Sequence, residues 1–230
     1  MLLTELLNKP NKIDGMALLD FLCQNGSETV CATFFDPQYR GILDKLNYGN
    51  EGKERGKDRC SLQQMDNNTI VEFIKKINIV LQPSGYLFLW VDKFHLCEGI
   101  NQWIEDTELS VVDLITWDKE KIGMGYRTRR QAEYLLILQK APIVVKDTWT
   151  NHSIPDIYRE KIEKNHPHSK PVKLQQLLIE ATTNEGDIVL DPAAGGYSVL
   201  FACLNCNRNF VGCDITTDID KPIGSQLSIL

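Results

Sequence analysis

Short apolar runs alternate along this chain with stretches of helical period, and that alternation leaves few folds open. VCATFF (30–35), YLFLWV (86–91), the VVDLITW run ending at Trp117, YLLIL (134–138), DIVLD (187–191) and FVGCD (210–214) are β-branched or aromatic and nearly continuous. Each is bounded by Gly, Pro or acidic residues, the look of strands buried on both faces. Between them, Ile70, Phe73, Ile74 and Ile77 mark one helical face, opened by Asp66 as N-cap and stopped by Pro83-Ser84-Gly85. Leu174, Leu177, Leu178 and Ala181 mark another, entered through Pro171. Strands and helices in alternation predict a mostly parallel sheet with helices on both faces. One pair must differ. The stretch from Trp117 to Glu133 is too short for a crossover helix, so the strands near 110–118 and 133–140 should form an antiparallel hairpin as the last strands of a mixed, seven-stranded sheet.

Two connections break the rhythm. Residues 40–60 are glycine-rich, charged and without an apolar period, and residues 141–170 carry Pro142, Pro155 and Pro167 among scattered polar residues. Loops of this length in a compact domain are usually functional or disordered. With 230 residues, 43% of them apolar and 24% charged, the chain reads as one domain spanning 1–230. No apolar run approaches the ~18–20 residues that cross a bilayer, and the opening MLLTELLNKPNK has an acid among its leucines and no cleavage pattern, which argues against a secretory signal. The seven cysteines are odd in number, and Cys31, Cys203 and Cys213 lie inside apolar segments, as reduced thiols of a cytoplasmic protein do. Cys203 and Cys206 have metal or redox spacing, but no second pair accompanies them, and they read as structural. No metal is expected.

The formal net charge of −6 weighs against a polyanionic partner only if charge is evenly spread. It is not. Lys119, Lys121, Arg127, Arg129 and Arg130 stand against a single acid, Glu120, in 119–130, and Arg159 to Lys173 holds five basic residues, Lys161 and Lys164 among them, against Glu160 and Glu163. Residues 51–59 are closer to balance.

In an open parallel sheet, ligands bind beyond the carboxyl ends of the strands. Two strands here end alike, the first running into Asp36-Pro37-Gln38-Tyr39 and the other into Asp191-Pro192-Ala193-Ala194-Gly195-Gly196. After Asp191, four small residues lead into an apolar helix, so a ligand can lie against the backbone and meet the N–H groups at the helix start. The next strand ends in Asp214, about 20 residues on, placed to accept the hydroxyls of a ribose. No dinucleotide fingerprint and no phosphate-loop lysine accompanies this pattern. The Asp36 tetrapeptide suits a different task. An exocyclic amine of a base is a poor nucleophile, because its lone pair is delocalised into the ring. The Asp36 carboxylate and the Pro37 carbonyl can both accept its N–H bonds and aim the lone pair at a methyl donor, while Tyr39 stacks on a base taken out of the helix.

These motifs, in this order, resemble the β-class (permuted) amino-methyltransferases of bacterial restriction–modification systems, adenine-N6 type, in which the catalytic tetrapeptide precedes the cofactor-binding glycine motif. The resemblance runs from about Ile13 to Asp214. Asp36-Pro37-Gln38-Tyr39 is similar to the D-P-P-Y motif, and Ile115 to Lys119 resembles the family's tryptophan–aspartate–lysine strand, followed by a basic loop and the Glu133-Tyr134 strand. His168-Ser169-Lys170-Pro171 is similar to the H-x-x-K-P entry to a helix at the methionine end of the cofactor, at shorter spacing. Asp191 to Ser198 resembles D-P-F-x-G-S-G-T, and Asn209 to Asp214 its N-F-x-G-x-D sequel. Gln38 stands where the family has a second proline, Ala193 where it has an aromatic residue and Tyr197 where it has its last glycine. Met16 falls near the position of the acid that reads the cofactor's adenine, leaving Asp14 as the substitute.

The resemblance implies an α/β, Rossmann-like methyltransferase fold with S-adenosylmethionine as cofactor. That cofactor would lie among Asp14, Gly15, Asp36, His168, Lys170, Asp191, Ala193, Ala194, Gly195, Gly196, Tyr197, Ser198 and Asp214, with Asp214 on the ribose and Lys170 near the methionine carboxylate. Asp36, Pro37 and Tyr39 would be catalytic, acting on N6 of adenine in double-stranded DNA, since an aspartate opening the tetrapeptide favours adenine. Lys119, Lys121, Arg127, Arg129, Arg130, Lys161 and Lys164 would hold phosphates. Residues 40–60 would be a lid over the flipped base and 141–170 a short target-recognition insert, reading two to four bases around the adenine. A membrane partner is not expected, and a homodimer is compatible with the sequence. Two other readings stay open: the same chemistry on RNA adenine or a protein amide, and a cofactor-binding partner subunit weakened by Gln38 and Tyr197.

Overall fold

The computed structural model describes residues 2–38, 65–123, 127–162 and 170–215. A short 3-10 turn (Leu3–Glu5) precedes α1 (Gly15–Asn25) and β1 (Val30–Phe35). Then come α2 (Asn67–Val80), β2 (Leu81–Val91), α3 (Lys93–Glu98), α4 (Asn101–Ile104), β3 (Leu109–Asp118) and β4 (Ala132–Lys140). The chain continues through β5 (Ile157–Arg159), α5 (Val172–Thr182), β6 (Ile188–Asp191), α6 (Ser198–Asn205) and β7 (Asn209–Gly212). The strands form one seven-stranded sheet in the order β5-β3-β4-β2-β1-β6-β7.

The expected hairpin is there, but it is not formed by the last strands of the sheet, because β5 pairs outside β3 and β2 pairs on the other side of β4. β4 pairs antiparallel with both β3 and β2, with Trp117 opposite Glu133 and Val91 opposite Tyr134. The pairs β1/β2, β1/β6, β6/β7 and β3/β5 are parallel, so among the described strands β4 alone runs against the rest. Its start therefore lies at the end of the sheet where the parallel strands finish.

Helices cover both faces. Leu18, Leu19 and Leu22 of α1, with Ile70, Ile74 and Ile77 of α2 and Trp103 of α4, pack on one side. Leu174 and Leu178 of α5, with Val199, Leu200 and Ala202 of α6, close on Phe34, Phe88 and Trp90 on the other. Asp66 caps α2 as expected, its Oδ1 accepting the Thr69 N–H at 2.7 Å. Pro171 stands at the N-cap of α5. No helix among the described residues is long and apolar enough to cross a membrane.

Three details differ from the sequence reading. Pro83-Ser84-Gly85 does not end α2: the helix stops at Val80, and the three residues sit within β2, where the register with β1 jumps from Val30–Leu81 to Ala32–Tyr86. A proline with no N–H and a serine at φ +61° suit such an irregularity better than a regular ladder. The run around β3 is not buried on both faces, because β5 covers only Thr116–Asp118, and Val111 and Val112 are exposed. That short β5 is the seventh strand and lies inside 141–170, a stretch whose irregular sequence gave no strand signal. Cys203 lies inside α6 and Cys206 just beyond it, both buried, with the Cys206 thiol donating to the Ala202 carbonyl at 3.0 Å.

Candidate active site

Four acids gather where the parallel strands end. Asp36 follows β1, Asp92 follows β2, Asp191 closes β6, and Asp214 lies two residues past β7. The inverted β4 adds Glu133 from its own beginning, and two lysines come from the connections, Lys119 after β3 and Lys170 before α5.

The Asp191 side is built from tightly folded backbone. Asp191 Oδ1 accepts the Ala193 N–H at 3.1 Å, Ala194 N–H donates to the Cys213 carbonyl at 2.9 Å, and Gly195 N–H donates to Asp214 Oδ2 at 3.2 Å. Tyr197 N–H donates to the Ala194 carbonyl at 2.8 Å. All four amides are paired within the chain, and those of Ala194 and Gly195 tie the turn to the segment just after β7. What the turn offers outward is open room: Gly195, at φ +50°, has nothing within 4 Å of where a Cβ would stand. Gly196 is half-buried, and Ser198 is buried as the first residue of α6.

Tyr197, in the place of the family's last glycine, adopts the left-handed conformation a glycine would take, with φ +57°. Its ring turns away into the core, edge-on to Phe210, and its hydroxyl donates to the Asn11 carbonyl at 3.1 Å. The substitution thus leaves the turn's backbone path in place and ties it to the N-terminal segment. Asn11, a buried residue the sequence did not single out, donates to the carbonyls of Leu6, Lys9 and Gly212. Asp14 caps α1 through the Met16 and Ala17 N–H groups, and Gly15 packs so closely that a Cβ would come within 2.2 Å of the Pro192 carbonyl. The start of α1 is thereby fixed against the Asp191 turn.

Asp191 is buried, and burial pushes its carboxyl well above the usual carboxylate range. The Ala193 N–H and Lys170 pull the other way, while the negative charges of Asp36 and Asp214 push it further up. A cluster of carboxylates this close suits a cationic ligand.

On the other side of Asp36 lies a cavity of about 460 Å³, bordered by Pro37, Asp92, Lys119, Arg130, Glu133 and Lys170. That volume falls in the range of small-ligand sites. Lys170 Nζ stands 2.9 Å from Asp36 Oδ2 and 2.8 Å from Glu133 Oε2, over the face of Trp90 at 4.7 Å. Burial alone would push its ammonium down, but the two carboxylates outweigh burial and hold it charged, above its ordinary value. Lys119 Nζ lies 3.0 Å from Glu133 Oε1. Burial raises the Glu133 carboxyl, but Lys170 and Lys119 overcome that and bring it down to about 2. Asp92 caps α3 through Phe94 and His95 N–H groups and meets His95 Nδ1 at 2.8 Å.

Of the residues predicted to meet phosphates, Lys121, Arg127, Arg129 and Lys161 are exposed and Arg130 is half-buried at the cavity, while Lys119 turns inward to Glu133. Tyr39, the 40–60 lid, Lys164, His168 and everything from Thr216 lie outside the described residues. The sequence reading missed Glu133 and Asp92 as site residues. Both had a signal: Asp92 ends a third strand as Asp36 and Asp191 end theirs, and an antiparallel β4 must bring its first charged residue to the same place.

A family model described as DNA methylase, covering N6 and N4 amino-methyltransferases, matches residues 32–221. The chain is 57% identical over 217 residues, 94% of each chain, to the Type II methyltransferase M.HhaII of Haemophilus parahaemolyticus. It is 22% identical, over 85% of this chain and 80% of the relative, to the Type II methyltransferase M2.MboI of Moraxella bovis. The fold matches the crystal structure of an M1.HpyAVI–SAM complex, with a TM-score of 0.64, 24% identity, and coverage of 90% of this chain and 92% of that one. It also matches the cytosine-N4-specific PvuII DNA methyltransferase, with a TM-score of 0.66, 14% identity, and coverage of 88% and 80%. Sheet, strand-end acids and sequence thus agree: the chain belongs to the N6/N4 DNA methylase family and is a DNA methyltransferase.

Proposed function

We propose that the chain transfers a methyl group from S-adenosylmethionine to the N6 amino group of adenine in double-stranded DNA, as the modification enzyme of a restriction–modification system. The observation that carries this reading is the position of Asp36, whose carboxylate borders the 460 Å³ cavity on one side and bears on Asp191 on the other. A base in the cavity and a methyl donor along the Asp191 turn would meet at that residue. Its identity favours adenine. M1.HpyAVI, whose fold this chain shares, forms a crystalline complex with the same cofactor.

The residues present fit that cofactor. Asp36 and Asp214 offer negative charge to a sulfonium and an ammonium group, a bound cation would draw the Asp191 carboxyl back toward its charged form, and the open face at Gly195 admits an adenosine against the backbone. Asp214 would take the ribose hydroxyls, Asp14 and Gly15 would border the adenine, and His168 and Lys170 the methionine carboxylate. When bound, S-adenosylmethionine supplies an electrophilic methyl carbon and leaves as the neutral thioether.

The chain's own part is to present the amine. Asp36 and the Pro37 carbonyl accept the two N–H bonds of the exocyclic nitrogen, drawing it toward tetrahedral geometry and freeing its lone pair for the methyl carbon. The proton lost afterwards leaves through Asp36 to solvent. Flipping the base out of the duplex costs a few kcal/mol, which Tyr39 would offset by stacking on it. The exposed basic residues at 121–130 and Lys161 would hold phosphates and carry no sequence information. A recognition insert of only 141–170 has few residues with which to reach base edges, so the target is short, two to four bases around the adenine.

Asp36→Ala tests the reading. Methyl transfer to DNA should fall by about 100- to 10,000-fold while calorimetry still shows cofactor binding. An Asp36→Ala enzyme with near-normal turnover would end it.

A further inference from the structure

The cavity holds a line of four alternating charges, Lys119–Glu133–Lys170–Asp36, whose successive separations are 3.0, 2.8 and 2.9 Å. Its last member, Asp36, already has a role in the proposed reaction, and Glu133 has none. Glu133 nevertheless has a fixed place. It is set by the ladder of β4, one residue before the Val91–Tyr134 pair, and each of its oxygens takes one lysine.

The consequence falls on Lys170. Its ammonium sits on the Trp90 face and is shared between two carboxylates, one from each side. Ordering a flexible lysine costs roughly 1.5–2 kcal/mol of rotamer freedom, which the two carboxylates and the Trp90 face together offset. Without Glu133, the ammonium loses one of these two carboxylates and moves onto the other, Asp36. The lone pairs that must accept the amine's N–H bonds would then be taken by lysine donors. With Glu133 in place, part of the ammonium is drawn off toward β4, and Asp36 keeps both its charge and its orientation.

We infer that Glu133 is a positioning residue for methyl transfer, acting through Lys170 to keep the Asp36 carboxylate aimed and available to the target amine. This rests on Asp36 being the group that accepts the amine.

The experiment compares Glu133→Gln, Lys170→Met, the double variant and Asp36→Ala, all with saturating cofactor and a methylatable duplex, reading kcat, KM for DNA and the cofactor Kd by calorimetry. Glu133→Gln keeps the size of the side chain, and Glu133→Asp serves as a second probe of the same contact. Glu133→Gln should lower kcat about 10- to 100-fold, the effect of a small misplacement at a reacting centre, with cofactor Kd and DNA KM little changed. On the Lys170→Met background, with cofactor raised to saturate that variant's own Kd because Lys170 also borders the methionine carboxylate, the same substitution should have almost no further effect on kcat, because its route to Asp36 is already gone. Normal kcat in both Glu133→Gln and Glu133→Asp, with Asp36→Ala inactive, overturns the inference alone. So does a full, additive loss on the Lys170→Met background. An active Asp36→Ala enzyme overturns the Asp36 mechanism and this inference with it.

Discussion

Asp191 is 6% exposed and shares its corner with Asp36 and Asp214, an arrangement that disfavours its charged form in the free protein. A carboxyl whose folded pKa is raised takes up a proton more readily folded than unfolded, so its contribution is most favourable at low pH and is lost as pH rises through the folded value. Asp191→Asn keeps the oxygen that accepts the Ala193 N–H and removes the charge. Its melting temperature should exceed that of the wild type at neutral pH, and the gap should narrow as the pH is lowered toward about 4, near the ordinary aspartate range. Cofactor binding should be lost in the same variant, the usual exchange of stability for function. A melting temperature at neutral pH no higher than wild type would show that the cluster does not strain the fold. Tyr197 makes a related point. Aligned to a glycine motif it scans as damage to the site, yet the left-handed backbone persists and the phenol hydroxyl is bonded to Asn11. One-dimensional matching registers that a glycine is missing, not where the replacing ring goes.

Among the elements, β4 matters most, because its inversion brings Glu133 beside Lys170 and makes the β3–β4 connection the rim of the cavity. That hairpin was legible from chain length alone, since too few residues separate Trp117 from Glu133 for a crossover. Helices α2 and α5 were legible from apolar period and from Asp66 and Pro171 at their starts, whereas α1, α3 and α4 were not read from the sequence. β5 was not: three residues with Tyr158 half-buried between two exposed neighbours make no apolar run, and only the ladder to β3 makes them a strand. Lys121, Arg127 and Arg129 are exposed on the same rim, Arg129 also lining the cavity, while Lys119 is engaged by Glu133. If the outward residues neutralise phosphates, Arg129→Ala should weaken DNA binding about equally for every sequence and reduce the slope of log affinity against log salt by about 1. Titrations by fluorescence anisotropy at several salt concentrations check this, and an unchanged slope would remove Arg129 from the phosphate-binding set.

At the scale of the molecule, one sheet with helices on both faces sends β1, β2, β6 and β7 to a common end, where Asp36 and Asp214 both act on Asp191, and Asp36 and Asp92 line the cavity. Asp36, Asp191 and Asp214 could be picked out in advance because each closes an apolar run. The ion pairs among Lys119, Glu133, Lys170 and Asp36 could not, because they join residues from four separate parts of the chain and no spacing encodes them. Family membership makes the chain a DNA methyltransferase, and the identity of the accepting atom is the claim that the Asp36 geometry is asked to support. Duplex DNA incubated with the protein and S-adenosylmethionine, then digested to nucleosides and resolved by mass spectrometry, reads that atom directly. The account predicts N6-methyldeoxyadenosine with wild type and background levels with Asp36→Ala, whereas N4-methyldeoxycytidine, or N6-methyldeoxyadenosine undiminished in Asp36→Ala, would contradict it.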